Sequence, residues 1–271
     1  MVVNRFFIVN LLILISESIQ LSQTSNITAI VFLTWRPSTV TIDFAQQLSD
    51  RTQSIDVYIV VDDNNFQVSQ WNSTSLQFLQ LKQDVLLESG FYGANIIGSL
   101  KNVTAWEKAI FYFCRQAKQY QFVWFVEEDV FIPSTQAFTA LHDLYAFSND
   151  LVVSRIDLII NGNTRTWYHA PKMRKEFPLP WLFGMVCAIG VSRHLLTEVN
   201  RFVLCRGHLS FIEFFFHMLV FRNGNMSIVT PVELSNIVYR HQYNQEQIEA
   251  RPNHWWHPLK NYSTHHTWRN K

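Results

Sequence analysis

The sequence predicts an α/β protein built on a mixed, mostly parallel sheet that is flanked by helices. Three near-continuous apolar runs, at 26–34, 55–61 and 122–126, indicate strands buried on both faces, which is typical of parallel sheets. Helical apolar spacing over 39–51 follows the first run, and a second helical stretch over 104–119 leads into the third. Because strands and helices alternate, we expect βαβ units in one domain over 26–271.

The first twenty residues predict a targeting segment. Arg5 supplies a positive start, and the apolar stretch 6–15 is followed by polar residues from Ser16 onward. This stretch is about half of the roughly 20 apolar residues that cross a bilayer as a helix. A cleaved signal peptide over 1–20 is therefore favoured over a short uncleaved signal-anchor, and membrane attachment is expected only if the segment is retained.

Acceptor sites for N-glycosylation support secretory entry, although chance would produce some of them in a chain rich in Asn, Ser and Thr. The candidate sites are Asn26, Asn72, Asn102, Asn225 and Asn261. We therefore expect the protein to be a glycoprotein in the lumen of the Golgi or endoplasmic reticulum, or to be secreted.

Composition limits the classes of partner. A chain of 271 residues with 48% hydrophobic residues is long enough for a packed core. Its net charge of +1 gives no electrostatic argument for a nucleic-acid partner. Three cysteines are too few for a disulfide framework; Cys187 and Cys205 could pair in an oxidising lumen, which would leave Cys114 buried on a helix. Their spacing does not resemble a zinc site.

The most informative stretch is 122–133, where five apolar residues run into Glu127, Glu128 and Asp129 before Pro133 ends the strand. Carboxylates clustered at the end of a buried strand repel one another, and burying one without a partner costs on the order of several kcal/mol. A hard divalent cation that also binds phosphate oxygens would remove this cost. The stretch is therefore either a metal site at the sheet edge or a strand that ends in a solvated acidic turn.

Polar residues also follow the first two strands, at the edge where open α/β sheets bind ligands. Trp35 and Arg36 precede Pro37, which favours an extended loop, and Arg36 either binds a phosphate or is a surface arginine. Asp62 or Asp63 either accepts a hydrogen bond from a ribose hydroxyl or a base edge, or closes an Asx turn.

Two helix starts carry candidate functional residues. In the helix over 104–119, Thr104 and Glu107 are spaced as a capping box, and Lys108 either points at phosphates or is a solvated helix residue. In the apolar stretch 208–222, Ser210 and Glu213 have the same capping spacing. The alternative is that Glu213, a single carboxylate in an apolar helix start, has a raised pKa and serves as a general base.

The C-terminal half adds a further strand and a histidine. The run 181–191 predicts one more buried strand, in which glycines permit close approach. The aromatic and basic stretch 166–180 predicts a long loop. Near the end of the chain, His257 precedes Pro258, and a neutral imidazole is a common ligand of divalent ions.

These residues together resemble nucleotide-sugar-dependent glycosyltransferases of the GT-A fold, a Rossmann-like single domain. The resemblance covers roughly 26–260. It rests on the strand–helix–strand units and on the acidic triplet followed by Val-Phe-Ile-Pro. The Phe-Ile-Glu-Phe-Phe helix start and the late Trp-His-Pro-Leu-Lys sequence add to it.

The resemblance implies that the triplet is a DxD-like motif that binds Mn²⁺ (or Mg²⁺) through the donor diphosphate. Asp129 would contact the metal, and His257 matches a late histidine that is a further ligand in the family. Glu127 and Glu128 would hold ribose, sugar hydroxyls or metal-bound water. The central glutamate departs from the family pattern and leaves open which acids contact the ion.

The same resemblance places the nucleotide sugar and the base. The candidates for nucleotide-sugar binding beyond the triplet are Asp62, Asp63, Trp35, Arg36 and Lys108. Glu213 matches the carboxylate that acts as the base in inverting members, whereas a retaining enzyme would leave it as a helix cap.

The implied activity is transfer of a hexosyl or N-acetylhexosaminyl group from a UDP-linked donor to a hydroxyl of a glycan or glycoprotein. The alternative is a secreted, catalytically inactive carbohydrate- or nucleotide-binding protein of the same fold. A metal-dependent nuclease or phosphatase is disfavoured, because the sequence offers no second acidic cluster for a paired metal.

Overall fold

The computed structural model describes residues 28–52, 54–71, 75–95, 103–162 and 170–269. The targeting segment and the acceptor sites at Asn26, Asn72 and Asn102 lie outside these ranges. Asn225 and Asn261 are exposed, and glycosylation at both stays a prediction. Within the described ranges, no helix combines the length and apolarity needed to cross a bilayer.

Strands and helices alternate over most of the described chain. The strands are β1 (Thr28–Thr34), β2 (Ile55–Val61), β3 (Gln77–Leu79), β4 (Phe122–Glu127), β5 (Leu151–Val152), β6 (Asp157–Ile159), β7 (Trp181–Phe183), β8 (Ala188–Ser192), β9 (Ile228–Val229), β10 (Asn236–Ile237) and β11 (Trp256–His257). The α-helices are α1 (Thr39–Arg51), α2 (Gln83–Glu88), α3 (Ala105–Arg115), α4 (Thr135–Tyr145), α5 (Ala170–Glu176), α6 (Arg193–Arg206), α7 (Ile212–Arg222), α8 (Gln245–Glu249) and α9 (Tyr262–Arg269).

The central sheet has the strand order β3-β2-β1-β4-β8-β5-β9. Strands β3, β2, β1 and β4 run parallel to one another, and β5 is parallel to β9. Strand β8 runs antiparallel to both β4 and β5. The prediction of a mixed, mostly parallel sheet flanked by helices is confirmed.

The apolar run of β4 is explained by a core on each face of the sheet. Phe125 packs into one core with residues of α3, α6 and α7, and Trp124 packs into the other with residues of α1 and α4. Both side chains are fully buried. Because successive side chains of a strand point to opposite faces, a strand covered on both sides has to be apolar throughout.

Three local predictions are wrong. The run 181–191 forms two strands in different sheets, β7 and β8, with residues 184–187 between them. At Gly184 an added Cβ would lie 2.0 Å from the carbonyl oxygen of Arg155. The segment expected to be a loop contains helix α5. Cys187 and Cys205 are not paired: both thiols are free, with Cys205 exposed on α6 and Cys187 partly buried.

Candidate active site

A cavity of about 400 Å³ opens at the carboxyl ends of β1, β2 and β4. These three strands are parallel, so the loops that follow them meet at one edge of the sheet, as expected for open α/β proteins. The residues that line the cavity are Leu33, Thr34, Trp35, Asp62, Asn95, Thr104, Ala105, Trp106, Glu127, Glu128, Asp129, Lys260 and Tyr262. The acidic triplet therefore borders a cavity and does not end in a solvated turn.

Glu127 is fixed by a tryptophan from the first turn of α3. The indole Nε1 of Trp106 donates to Glu127 Oε1 at 2.7 Å. The backbone N–H of Glu127 donates to the carbonyl of Cys187 at 2.8 Å, which closes the ladder between β4 and β8. One carboxylate oxygen is thus oriented by the protein, and the side chain remains at the cavity wall.

Glu128 has a structural role that was not predicted. Its carboxylate accepts hydrogen bonds from the Ser38 N–H at 2.8 Å and from the Thr41 hydroxyl at 3.0 Å, and also from the hydroxyl of Thr34. The N–H groups at the start of a helix lack partners within the helix and lie at the positive end of its dipole. Glu128 therefore holds the start of α1, and because it also lines the cavity its contact with a nucleotide sugar stays a prediction.

Asp129 and His257, which the resemblance names as ligands of one ion, lie beside each other. Backbone hydrogen bonds between Phe131 and Trp256, at 2.8 and 3.0 Å, dock β11 beside the triplet. His257 Nε2 then lies 3.3 Å from Asp129 Oδ1, and Nδ1 lies 3.0 Å from the carbonyl of Val238. Because that carbonyl can only accept, it fixes the proton on Nδ1 and directs Nε2 toward the site.

Asp129 and His257 shift each other's pKa in opposite directions. Burial alone would raise the pKa of Asp129, but the hydrogen bond and charge of His257 outweigh it and bring that pKa below its ordinary value. Burial alone would lower the pKa of His257, and Asp129 raises it above its ordinary value. Asp129 Oδ1 and His257 Nε2 face each other, so a cation could take the place of the hydrogen bond between them.

Sequence reasoning missed Cys187. A carboxylate oxygen of Glu127, the Sγ of Cys187 and a ring nitrogen of His257 all lie within 4.8 Å of one another. Burial raises the pKa of the Cys187 thiol well above its ordinary value, and the charge of Glu127 adds to this effect. The only signal in the sequence was position, because Cys187 stands opposite Glu127 once β8 pairs with β4.

Glu213 is a half-buried carboxylate without a capping role. Helix α7 begins at Ile212 with Phe211 as its N-cap and has no side-chain cap, so the predicted capping box with Ser210 is wrong. Burial, and then the charge of Glu127, raise the pKa of Glu213 to about 7. A carboxylate that titrates near neutrality is suited to accept a proton from a hydroxyl.

Trp35 and Asp62 are placed where a nucleotide could reach them, whereas Lys108 is not. Trp35 is 62% exposed at the cavity, and Asp62 lies on its wall. Lys108 is 2% exposed, and its Nζ lies 2.9 Å from Asp62 Oδ1 and 2.6 Å from the Asp62 carbonyl. The prediction that Lys108 contacts phosphate is wrong: its ammonium is held by Asp62 and positions that carboxylate.

Arg36 and Asp63 pair with each other and do not line the cavity. Asp63 also accepts a hydrogen bond from the backbone N–H of Asn65 at 2.9 Å, which is the Asx turn considered as the alternative. That backbone bond, outweighing burial and aided by Arg36, lowers the pKa of Asp63. Asp63 therefore has a structural role beside Trp35, whereas the side chain of Arg36 is 60% exposed and its contact with a phosphate stays a prediction.

Lys260 and Tyr262 are further residues that sequence reasoning missed. Both line the cavity opposite the acids, because Leu259 N–H donates to the carbonyl of Asp129 at 2.8 Å and brings the late segment across. Lys260 is exposed, so its ammonium is accessible to a ligand. Burial, together with the charges of Glu128 and Asp129, raises the pKa of Tyr262 to about 12, so its phenol stays protonated.

The donors at the acidic end fit a divalent cation. Glu127 and Asp129 offer carboxylate oxygens, and His257 offers a nitrogen whose tautomer is fixed from outside by Val238. Mg²⁺ and Mn²⁺ take few protein ligands and complete their coordination with water and phosphate oxygens. The cavity beside these donors has room for such a ligand.

No family model and no curated protein matches this sequence. Among solved structures, the galactosyltransferase LgtC, with bound donor and acceptor sugar analogues, matches with a TM-score of 0.46 and 10% identity, covering 89% of this chain and 95% of that one. Mouse xyloside xylosyltransferase 1 matches with a TM-score of 0.41 and 9% identity over 87% and 98% of the two chains.

A third structure of similar shape is not named as a glycosyltransferase. It is 4-diphosphocytidyl-2C-methyl-D-erythritol synthase from Anaerococcus prevotii DSM 20548, with a TM-score of 0.40 and 11% identity over 84% of this chain and 95% of that one. At these identities and scores the likeness is one of overall shape. The function therefore has to be argued from the site itself.

Proposed function

We propose that this protein is a metal-dependent glycosyltransferase that moves a sugar from a nucleotide diphosphate donor to a hydroxyl of an acceptor. The observation that carries the proposal is one cavity with three kinds of group in a row. Asp62, Trp35 and the acidic cluster of Glu127 and Asp129 follow the adjacent strands β2, β1 and β4. Neighbouring strands lie about 4.8 Å apart, so the row spans about 10 Å.

This span suits a nucleoside at one end and a diphosphate at the other. The exposed ring of Trp35 offers a face on which a base can stack, and Asp62 can accept a hydrogen bond from a ribose hydroxyl. Glu127, Asp129 and His257 would hold Mn²⁺ or Mg²⁺. The cation, when bound, supplies charge neutralisation on the departing diphosphate. Lys260 adds a second positive charge at the same cavity.

Glu213 is proposed as the general base of an inverting reaction. Its pKa of about 7 leaves a substantial fraction ionised at neutral pH, and that fraction can accept the proton of an attacking hydroxyl. Its carboxylate makes no hydrogen bond to the described residues that would prevent this. A retaining reaction would not use this base, and Glu213→Gln would then keep most of its activity.

The donor, acceptor and location are further parts of the proposal. A UDP-linked hexose or N-acetylhexosamine and a glycan or glycoprotein acceptor follow from the resemblance of the sequence. The targeting segment and the exposed acceptor sites Asn225 and Asn261 support the lumen of the Golgi or endoplasmic reticulum, or secretion. Expression in animal cells tests the location: we expect a glycosidase-sensitive mobility shift that becomes smaller in Asn225→Gln and in Asn261→Gln, and its absence from the wild type would contradict secretory entry.

The test of function is a panel of sugar nucleotides incubated with the purified protein and Mn²⁺. We expect release of a nucleoside diphosphate that chelation abolishes. Asp129→Asn should lose it, whereas Asp143→Asn, which changes an exposed carboxylate on α4 away from the cavity, should not. Uridine or guanosine diphosphate at about 100 times its Kd should add about 2.7 kcal/mol of stability, a rise of a few degrees in Tm.

The outcomes separate the two candidate classes. Binding of a nucleotide that needs the cation, without turnover of any donor, would support the catalytically inactive binding protein. The absence of both binding and turnover over the whole panel would contradict the proposal.

A further inference from the structure

Cys187 lies among the candidate ligands of the metal ion, although the hard ions Mg²⁺ and Mn²⁺ bind sulfur ligands poorly. Its Sγ, a carboxylate oxygen of Glu127 and a ring nitrogen of His257 are within 4.8 Å of one another. One atom at their centre could therefore contact all three. The carboxylate, thiolate and imidazole are the three ligand types that zinc sites use.

The position of each of these side chains is fixed from outside the cluster. Trp106 orients Glu127 through a hydrogen bond of 2.7 Å, and Val238 fixes the Nδ1 of His257 at 3.0 Å. The backbone of Cys187 is held opposite Glu127 by a hydrogen bond of 2.8 Å between the two strands. Ligands held by outer partners in this way are characteristic of metal centres.

We propose that Cys187 is a ligand of the cation, together with Glu127 and His257, and that the site prefers Zn²⁺ or Co²⁺ to Mg²⁺. Thiolate sulfur binds borderline and soft ions well and hard ions poorly. On binding, the S–H bond breaks, its proton leaves to solvent, and the sulfur electron pair forms the bond to the ion. Cys187, Glu127 and His257 leave positions that face the cavity, where Asp129 and a phosphate oxygen can bind.

This inference deepens the proposed function, since it names a further ligand of the ion that the transferase requires. It also changes one earlier expectation, because Mn²⁺ or Mg²⁺ was predicted from the acids alone. The test therefore observes the ion directly and does not depend on sugar transfer.

The experiment titrates the chelator-treated full chain with Co²⁺ and records the near-ultraviolet absorption. A cobalt–thiolate bond gives a charge-transfer band there, whereas carboxylate and imidazole ligands alone do not. We expect the band in the wild type and in Cys205→Ser, whose exposed thiol lies on α6, and its loss in Cys187→Ser. We also expect the affinity of Cys187→Ser for Zn²⁺ to fall by about 100-fold or more, since even outer partners of a ligand are worth about 10–100-fold.

A measurement on the unaltered protein keeps the test decisive if Cys187→Ser folds poorly. Alkylation under mild denaturation, followed by mass spectrometry, should show that one equivalent of Zn²⁺ protects Cys187 and leaves Cys205 reactive. A wild-type protein without the band, or equal labelling of Cys187 with and without Zn²⁺, would overturn the proposal. A band without any sugar transfer would support the thiolate ligand and contradict the proposed transferase. Sugar transfer without a band would support the transferase and contradict the thiolate ligand.

Discussion

The half-buried carboxylate of Glu213 permits a prediction that does not depend on knowing the substrate. Burial and the charge of Glu127 raise its pKa from the ordinary 4.5 to about 7. Each pKa unit corresponds to 1.36 kcal/mol, so ionising Glu213 in the folded protein costs about 3 kcal/mol. Replacing it by glutamine keeps the shape of the protonated form and removes the ionisation.

The sign of the effect follows from linkage. A carboxyl group whose pKa is raised on folding binds more protons in the folded state, so its contribution to stability is greatest below about pH 4.5. That contribution falls as the pH rises and levels off above the folded pKa of about 7. Glu213→Gln has no ionisable group at this position, so its free energy of unfolding does not include this fall. Its free energy of unfolding should therefore exceed that of the wild type by about 1 kcal/mol at roughly pH 5 and by about 3 kcal/mol at roughly pH 8.

Urea unfolding of both proteins at the two pH values, with a chelator present, measures the difference. Groups shared by the two proteins cancel, so only Glu213 contributes. Glu198→Gln, which changes a carboxylate on α6 that pairs with Arg201, is the matched control and should show no such growth with pH. A difference that stays constant between the two pH values, or a glutamine variant that is less stable at pH 8, would refute the reasoning.

Further predictions concern the residues that frame the cavity. Glu107→Ala should destabilise the protein by about 3 kcal/mol in urea unfolding, because its buried carboxylate accepts from the backbone N–H groups of Ala94 at 2.8 Å and Thr104 at 2.8 Å, which would lose their partner; a loss below 1 kcal/mol would argue against this. Lys108→Met should weaken nucleotide binding, measured by calorimetry, because Lys108 positions the carboxylate of Asp62. An unchanged affinity would show that Asp62 does not need its ion pair with Lys108 to bind the nucleotide. Trp35→Ala should cost about 1–3 kcal/mol of binding to a nucleoside diphosphate without changing Tm, and equal affinity would exclude stacking on that ring.

The sheet could be predicted because its strands are covered on both faces. Residues such as Trp124 and Phe125, one in each core, make an apolar run that periodicity alone identifies as a buried strand. The split of 181–191 could not be predicted, because β7 pairs with β6 and β8 pairs with β4, and these pairings join segments that are distant in sequence.

The candidate site was predictable in its location and only partly in its members. The residue types at strand ends placed Asp129 and His257 at the cavity, and the structure brings them together. The roles of the neighbouring residues could be identified only from the folded structure. Glu128 binds the start of α1, which only the packing of α1 against β4 reveals.

The charged residues show the same limit. Lys108 and Arg36 looked like phosphate ligands by type, yet each pairs with an aspartate of its own chain. Lys260 reaches the cavity only because the late segment pairs with the residues after β4. Spacing along a chain therefore indicates which residue types could act, and packing decides which of them are accessible to a ligand.

The central claim is that the acids at the end of β4 share a divalent ion with the diphosphate of a nucleotide. Crystals grown with uridine diphosphate and Mn²⁺ test it most directly, through anomalous scattering at the manganese absorption edge. We expect one ion peak about 2.0–2.3 Å from a carboxylate oxygen of Asp129 or Glu127 and from a diphosphate oxygen, with the Asp129–His257 ion pair opened. A nucleotide bound elsewhere, or bound in the cavity with no ion and with that ion pair intact, would contradict the account.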